Sequence, residues 1–259
     1  MAEESLSAWS ITDGLKTRFI GQRLLYYPSL PSTMATARQV ARQRGAEGTV
    51  IIADEQTAGR GRLKRAWLTP RGNIALSVIL SPSLPILPSL IMLASLAVVR
   101  SIVSVTGLKP QIKWPNDVLL NGKKVSGILI ENDFLGDKVA YSIIGIGIDV
   151  NLKLADFPEI QPIATSLSDE SGKEVSRLKL IRYLLVEMEN LYLGLSAGGS
   201  LYEEWRDNLV TLGKIVRATT DDAVYDGMAE SVDRDGSLLL RRRDGTSVKI
   251  VAGDVTLRE

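Results

Sequence analysis

The apolar positions change their period repeatedly along the chain, and each change predicts an element. Ser32 or Thr33 opens a helical stretch that runs to Arg44 and stops at Gly45. The apolar run 49–53 predicts a strand, and 73–80 a second one. Between them, 54–72 holds little apolar content and reads as a loop. Residues 88–106 predict an apolar helix ended by Gly107. Two short apolar runs, 117–120 and 125–131, flank Asn121-Gly122, a strong hairpin signal because the tight turn needs positive φ at both central positions. The run 139–150 is continuous enough in apolar residues to lie in a covered sheet. Ser176 caps a helix reaching about Leu195, and a further helix around Trp205 ends near Leu209.

From Leu212 onward the helical period is gone. Short segments are punctuated by Asp235-Gly236, Asp244-Gly245 and Gly253-Asp254, the pattern of a small antiparallel barrel. The expected organisation has three parts: a short lead-in over 1–25, an α+β domain over 26–211 built on a mixed β-sheet with flanking helices, and an SH3-like β-barrel over 212–259.

Composition narrows the chemistry. Of the 259 residues 45% are hydrophobic and 24% charged, a globular profile, and the net charge of +1 leaves no global field to hold nucleic acid or membrane. Cysteine and histidine are both absent. That excludes disulfides, thiolate sites, imidazole metal ligands and the Ser-His-Asp triad. An enzyme with this inventory works with lysine, arginine, carboxylates and backbone donors, which suits charge redistribution around a phosphate. Glu3 and Glu4 with no following apolar core argue against a signal peptide. The greasiest stretch, 84–105, is interrupted by Pro85, Pro88 and Arg100 and reads as a buried helix, not a membrane span. The expected location is cytoplasmic.

Two segments carry candidate chemistry. From Thr57 to Gly72 there are five basic residues (Arg60, Arg62, Lys64, Arg65, Arg71) and no acidic one. Gly59 and Gly61 alternate with Arg60 and Arg62, so backbone amides beside guanidinium forks are expected to meet an anion, with Trp67 as a flat stacking face. By itself this is equally a solvated basic loop or an RNA-binding arginine-glycine patch. The second segment, Lys113-Trp-Pro-Asn-Asp117, leads into the hairpin whose return strand opens Lys124-Val-Ser-Gly127. Pro115 pre-sets a turn, which puts Asn116 and Asp117 at a strand mouth. Strict alternation would place Lys124, Ser126 and Ile128 on one face and Val125, Gly127 and Leu129 on the other. Gly127 leaves room for close approach. Lys124 meets an anion there or serves as an edge charge that discourages aggregation.

Taken together, Gly59-Arg-Gly-Arg62 with Trp67, the Lys113–Asp117 motif, Lys124–Gly127 and Gly145-Ile-Gly-Ile-Asp-Val-Asn151 resemble the biotin–protein ligases in order and spacing. The match runs from about residue 25 to the end and is to the form without an N-terminal DNA-binding domain. The resemblance implies a biotin/lipoate ligase-like fold that activates biotin with Mg²⁺-ATP and transfers it to a lysine of a biotin carboxyl carrier protein or domain. It implies that Ser32, Thr33 and Gln56 line the head-group pocket with Met34. Arg60, Gly61 and Arg62 would fold over the ligand, with Arg62 and Arg65 on phosphate and Trp67 against adenine. Lys124 would bridge the biotin carboxylate and the α-phosphate above Gly127. Asn116 and Asp117 would help order this region or the Mg²⁺–nucleotide, Asp117 being the residue that could meet the metal. Two positions depart from the family pattern: Asp149 stands where asparagine is usual, and Met34 where a polar residue is common. Competing expectations are a lipoate–protein ligase, a nucleotidyltransferase charged on Lys124, and a nucleic-acid-binding module. Residues 1–25 are too short for a winged helix, so no sequence-specific DNA binding is expected. A homodimer is left open.

Overall fold

A computed structural model describes residues 6–43, 45–220 and 222–257. A short helix, α1 (Ala8–Thr12), is closed by a reciprocal Ser7–Ser10 cap and precedes strand β1 (Leu24–Tyr27). Helix α2 (Thr33–Ala41) follows Ser32, and β2 (Val50–Ala53) and β3 (Ile74–Leu80) bracket the basic loop. The predicted helix end at Arg44 lies outside the described residues. A 3-10 turn over Leu84–Ser89 leads into α3 (Leu90–Thr106), because Pro88 keeps the first turn from being α-helical. Gly107 ends α3 at φ 74°, the left-handed cap that glycine adopts without penalty. Strands β4 (Gln111–Lys113), β5 (Asp117–Leu120), β6 (Lys123–Leu135) and β7 (Lys138–Ile148) follow. Asn121 and Gly122 turn the β5–β6 hairpin with φ of 49° and 80°, as the sequence demands. Helices α4 (Leu167–Ser171), α5 (Arg177–Ser196) and α6 (Tyr202–Asp207) complete the first unit.

These strands form one seven-stranded sheet in the order β1-β2-β3-β7-β6-β5-β4, with β1 parallel to β2 and the other neighbours antiparallel. Helices α3 and α5 cover one face. Eleven of the 17 residues of α3 are buried there, each large aliphatic side chain contributing about 1.5–3 kcal/mol. With its leading turn, α3 is long and apolar enough to span a membrane by length and composition alone, and here it is a core helix. On the other face, α2 packs Met34, Ala37 and Val40 against Ile51, Ile79 and Ile143. It covers only part of that face, and the uncovered remainder becomes the site.

The stretch read as a lead-in belongs to this unit from Leu6 on. Strand β1 adds to the sheet edge, Leu24 opposite Val50 through Tyr27 opposite Ala53. The buried Glu189 carboxylate on α5 accepts the amides of Arg18, Phe19 and Ile20 at 2.5, 2.8 and 2.9 Å. Four half-buried residues at an edge carry no alternation from which a strand could be read.

Past residue 211 the chain forms β8 (Ile215–Thr219), β9 (Val224–Val232), β10 (Leu238–Arg241), β11 (Ser247–Ile250) and β12 (Asp254–Leu257). They make a five-stranded antiparallel sheet in the order β11-β10-β9-β8-β12. Its apolar residues Val216, Leu238 and Ile250 join the same core cluster as α3. Trp114, fully buried, fastens the units together: its amide donates to Thr211 Oγ1 (2.9 Å) and its indole Nε1 to the Gly236 carbonyl (2.8 Å).

Candidate active site

The register of the sheet lays its small residues side by side. Ala75 lies opposite Gly147, Gly147 opposite Gly127, Gly127 opposite Asp117, and Asp117 opposite Lys113. In the adjacent row Ser77 faces Gly145 and Gly145 faces Leu129. A sheet face without side chains is a trough. Above it opens a cavity of about 620 Å³, lined by every site residue named from the sequence.

One end of the cavity is neutral and polar. The Gln56 side-chain carbonyl accepts the Thr33 amide (2.9 Å) and hydroxyl (3.2 Å), and Ser77 Oγ donates to Thr33 Oγ1 (2.9 Å). Gln56 Nε2 donates to Thr69 Oγ1 at 3.2 Å. Met34 lies on Gly145, where an added β-carbon would stand 2.6 Å from its sulfur. Ser32 lines the rim beside them and makes no helix-cap hydrogen bond with its side chain.

The basic loop is a miniature hairpin. Gly61 donates to the Arg65 carbonyl (2.8 Å) and Trp67 to the Gly59 carbonyl (3.0 Å), with an Arg60–Ala66 bridge between them. The Gly61 amide is thereby held within the hairpin, while Gly61 itself lines the cavity. Gly59 is needed for the close approach, since a β-carbon there would meet the Trp67 carbonyl at 2.4 Å. At the tip the guanidiniums reach the C-terminal sheet. Arg62 Nη2 donates to the Gly253 carbonyl (2.9 Å), and Arg65 pairs with Asp254 at 2.5 Å.

Lys124 stands on the opposite face from the one alternation predicts. Register shifts by one residue between Val118 and Leu119, where Ser126 and then Lys124 are their partners, so Val125 is bulged out. The bulge turns Lys124 onto the Gly127 face, its Nζ 3.2 Å from where a Gly127 β-carbon would be. There it pairs with Asp117 (2.5 Å) and lies 5.3 Å from the centre of the Trp67 ring. Trp67 fills the space over the glycines; a β-carbon on Gly147 would be 2.3 Å from its Nε1. Asn116 is buried and its Nδ2 donates to the Ile128 carbonyl (2.8 Å), tying the turn to β6. Asp149 is buried beside this group. Burial pushes its carboxyl up to about 8, opposed by the positive charge of Lys124. A neutral Asp149 retains an O–H donor, which bears on its departure from the asparagine of the family pattern.

Sequence reasoning missed three contributors. Ser77 is a hydroxyl inside an otherwise apolar strand, a signal that was available. The wall from Ile160 to Ala164 is irregular chain, held beside Lys124 by Lys124 N–H to the Ile163 carbonyl (2.9 Å) and Thr165 N–H to the Lys124 carbonyl (2.8 Å). Strand β12 closes one end from residues distant in sequence.

Fold and site together define a class: an α+β domain with a cation-lined trough in its sheet, under an arginine loop anchored to a small β module. The chain belongs to the biotin/lipoate A/B protein ligase family, whose profile matches residues 26–149; a second profile, the biotin protein ligase C-terminal domain, matches 211–258. It is 42% identical to the bifunctional ligase/repressor BirA of Bacillus spizizenii over 97% of this chain and 79% of that protein. It is 35% identical to a biotin–[acetyl-CoA-carboxylase] ligase of Paracoccus denitrificans over 84% of this chain and 93% of that one. Among solved structures, a biotin protein ligase from Aquifex aeolicus in complex with biotin and ATP superimposes with a TM-score of 0.76 at 28% identity, covering 92% of this chain and 99% of the other.

Two outcomes are expected. Gly147→Ala drives the Trp67 indole off the trough, an overpacking cost of about 1–3 kcal/mol, so ligand affinity falls about tenfold or more with a shifted tryptophan emission; unchanged emission and affinity refute the packing. Asp149 holds its proton in the folded chain and loses it on unfolding between its ordinary 3.8 and about 8. Stability is therefore lost as pH rises through that window. Asp149→Asn melts several degrees above the parent at about pH 9 and close to it at about pH 4; an equal gap at both pH values contradicts the assignment.

Proposed function

We propose that the chain activates biotin with MgATP to biotinyl-5'-AMP and pyrophosphate, then transfers the biotinyl group to a lysine of a biotin carboxyl carrier protein or domain. One observation carries the reading: a single cavity with neutral hydrogen-bonding groups at Thr33 and Gln56 in one part, Thr33 being backed by the buried Ser77 hydroxyl, and Lys124 with the arginine loop in another. A ureido ring suits the first set and a carboxylate next to a phosphate the second.

In the first step a biotin carboxylate oxygen bonds to the α-phosphorus, and the bond from that phosphorus to the bridging oxygen breaks as pyrophosphate leaves. Both reactants are anions, so a cation held between them stabilises the transition state. Asp117 and the Trp67 face hold Lys124 over the trough before substrate arrives, which keeps reorganisation small. No proton moves in this step, in keeping with a chain that has no histidine. In the second step the carrier's neutral amine attacks the acyl carbon, the bond from that carbon to the AMP oxygen breaks, and the nitrogen sheds its extra proton to solvent. The loop, tied at its tip to Gly253 and Asp254, shields the acyl-adenylate from water. Arg60, Arg62 and Arg65 neutralise phosphate oxygens, and Trp67 and Asp149 stand beside the nucleotide.

Magnesium enters with ATP as part of the substrate. Among the described residues no cluster of three acidic side chains is placed to hold a metal ion, and Asp117 is already engaged by Lys124 and, at 4.0 Å, by Lys113. The Bacillus relatives are named repressors as well as ligases. We propose only the ligase activity for these 259 residues; a specific gel shift at physiological salt would add sequence-specific DNA binding to it.

The test is incubation with labelled biotin, MgATP and a biotin carboxyl carrier domain, with lipoate and octanoate in parallel and intact mass recorded after ATP alone. Label on the carrier from biotin only is expected; label from lipoate, or a stable protein–AMP adduct, points to the competing enzymes. Lys124→Ala should lower single-turnover adenylate formation by about 10²–10³-fold while biotin binding changes little. Normal adenylation in that variant would remove Lys124 from the mechanism.

A further inference from the structure

The segment that carries the arginines is gripped at both ends by one side chain outside the cavity. Arg177, first residue of α5, is 7% exposed. Its Nη1 pairs with the carboxylate of Asp54, the residue just after β2, and donates to the carbonyl of Asn73 (3.3 Å), the residue just before β3. The surroundings reinforce the same root. Asn73 Oδ1 accepts the Val150 amide (2.9 Å), and the Gly72 carbonyl accepts the Asn151 amide (3.1 Å). The Asn151 side chain in turn exchanges two hydrogen bonds of 3.0 Å with the backbone of Val175, just ahead of α5.

Stability of α5 does not account for this residue. A cation in the first turn opposes the helix dipole, and burying a guanidinium is costly unless it is paired. What the placement does achieve is to hold together the two ends of the chain between Asp54 and Asn73. Gln56 stands two residues inside one end; Arg60, Arg62 and Trp67 hang from the same frame. We infer that Arg177 is a positioning residue for adenylate formation: by fixing both roots of the loop through Asp54 and Asn73, it sets where Gln56, the arginines and Trp67 stand over the trough. This rests on the ligase reading of the site.

The experiment compares Arg177→Gln and Arg177→Lys with Glu189→Gln. Glu189 anchors the 18–20 turn to the same helix, away from the loop, and serves as a stability control. Three quantities are read well below the melting temperature: the rate of tryptic cleavage within 60–71, the KM for MgATP against kcat, and release of free adenylate. Arg177→Gln should raise loop cleavage, KM and adenylate release about tenfold, with a smaller change in kcat. Arg177→Lys, which keeps the charge opposite Asp54, should recover part of each. Glu189→Gln should lower the melting temperature and leave all three at parent values. If Arg177→Gln is not recovered folded, the charge-free pair Asp54→Asn with Arg177→Gln is read in the same way. Loop cleavage and KM no different from those of Glu189→Gln would overturn the proposal. The cleavage assay needs no substrate, so a parent protein that fails to biotinylate refutes the ligase reading while the role of Arg177 is still decided.

Discussion

Across β3, β7, β6 and β5 one register row reads Ala75, Gly147, Gly127, Asp117, and the site is arranged around it. A seven-stranded sheet covered on one face by two long helices has a second face that ordinary side chains would fill or that another helix would have to cover. Helix α2 covers the part lined by Ile51, Ile79 and Ile143. Over Gly127 and Gly147 lie the Trp67 indole and the end of the Lys124 side chain, both of which need the absence of β-carbons to lie so low. The cavity, the seat of the lysine and the resting place of the indole follow from the same vacancy of side chains.

Given that floor, electrostatics decides the rest. Lys124 is held by Asp117 and by an aromatic face, which together orient its ammonium over the trough. Asp149, buried nearby, is kept protonated by the same dry surroundings that strengthen the lysine's field. The guanidiniums of the loop are carried on a hairpin anchored at three places: the roots on Arg177, the tip on Gly253 and Asp254, the stem on its own backbone bonds. The C-terminal module thereby takes part in the site, and its shared core with α3 and the Trp114 hydrogen bonds keep it in fixed relation to the trough.

Much of this was legible in the chain. The Asn121-Gly122 hairpin, the Gly107 helix stop, the Ser176 cap and the change of character after Leu212 are local signals, and local geometry obeys them. The residues named for the site all line one cavity. What failed to show were features decided by how one segment pairs with another. Strand β1 exists because β2 offers it an edge, and Lys124 faces the trough because a bulge opposite β5 inverts the alternation.

The amino-acid sequence by itself determined the kinds of element, the order in which they occur, the absence of imidazole and thiol, and the set of cations and glycines available for chemistry. Tertiary structure alone decided which face each of them occupies, that β12 and the 160–164 wall close the cavity, and that Arg177 holds the loop. The reason is physical. Turn and cap preferences are properties of a few adjacent residues, whereas register, bulging and burial depend on how whole segments pair and pack, in places across more than a hundred positions, as with Asp54 and Arg177 or Arg62 and Gly253.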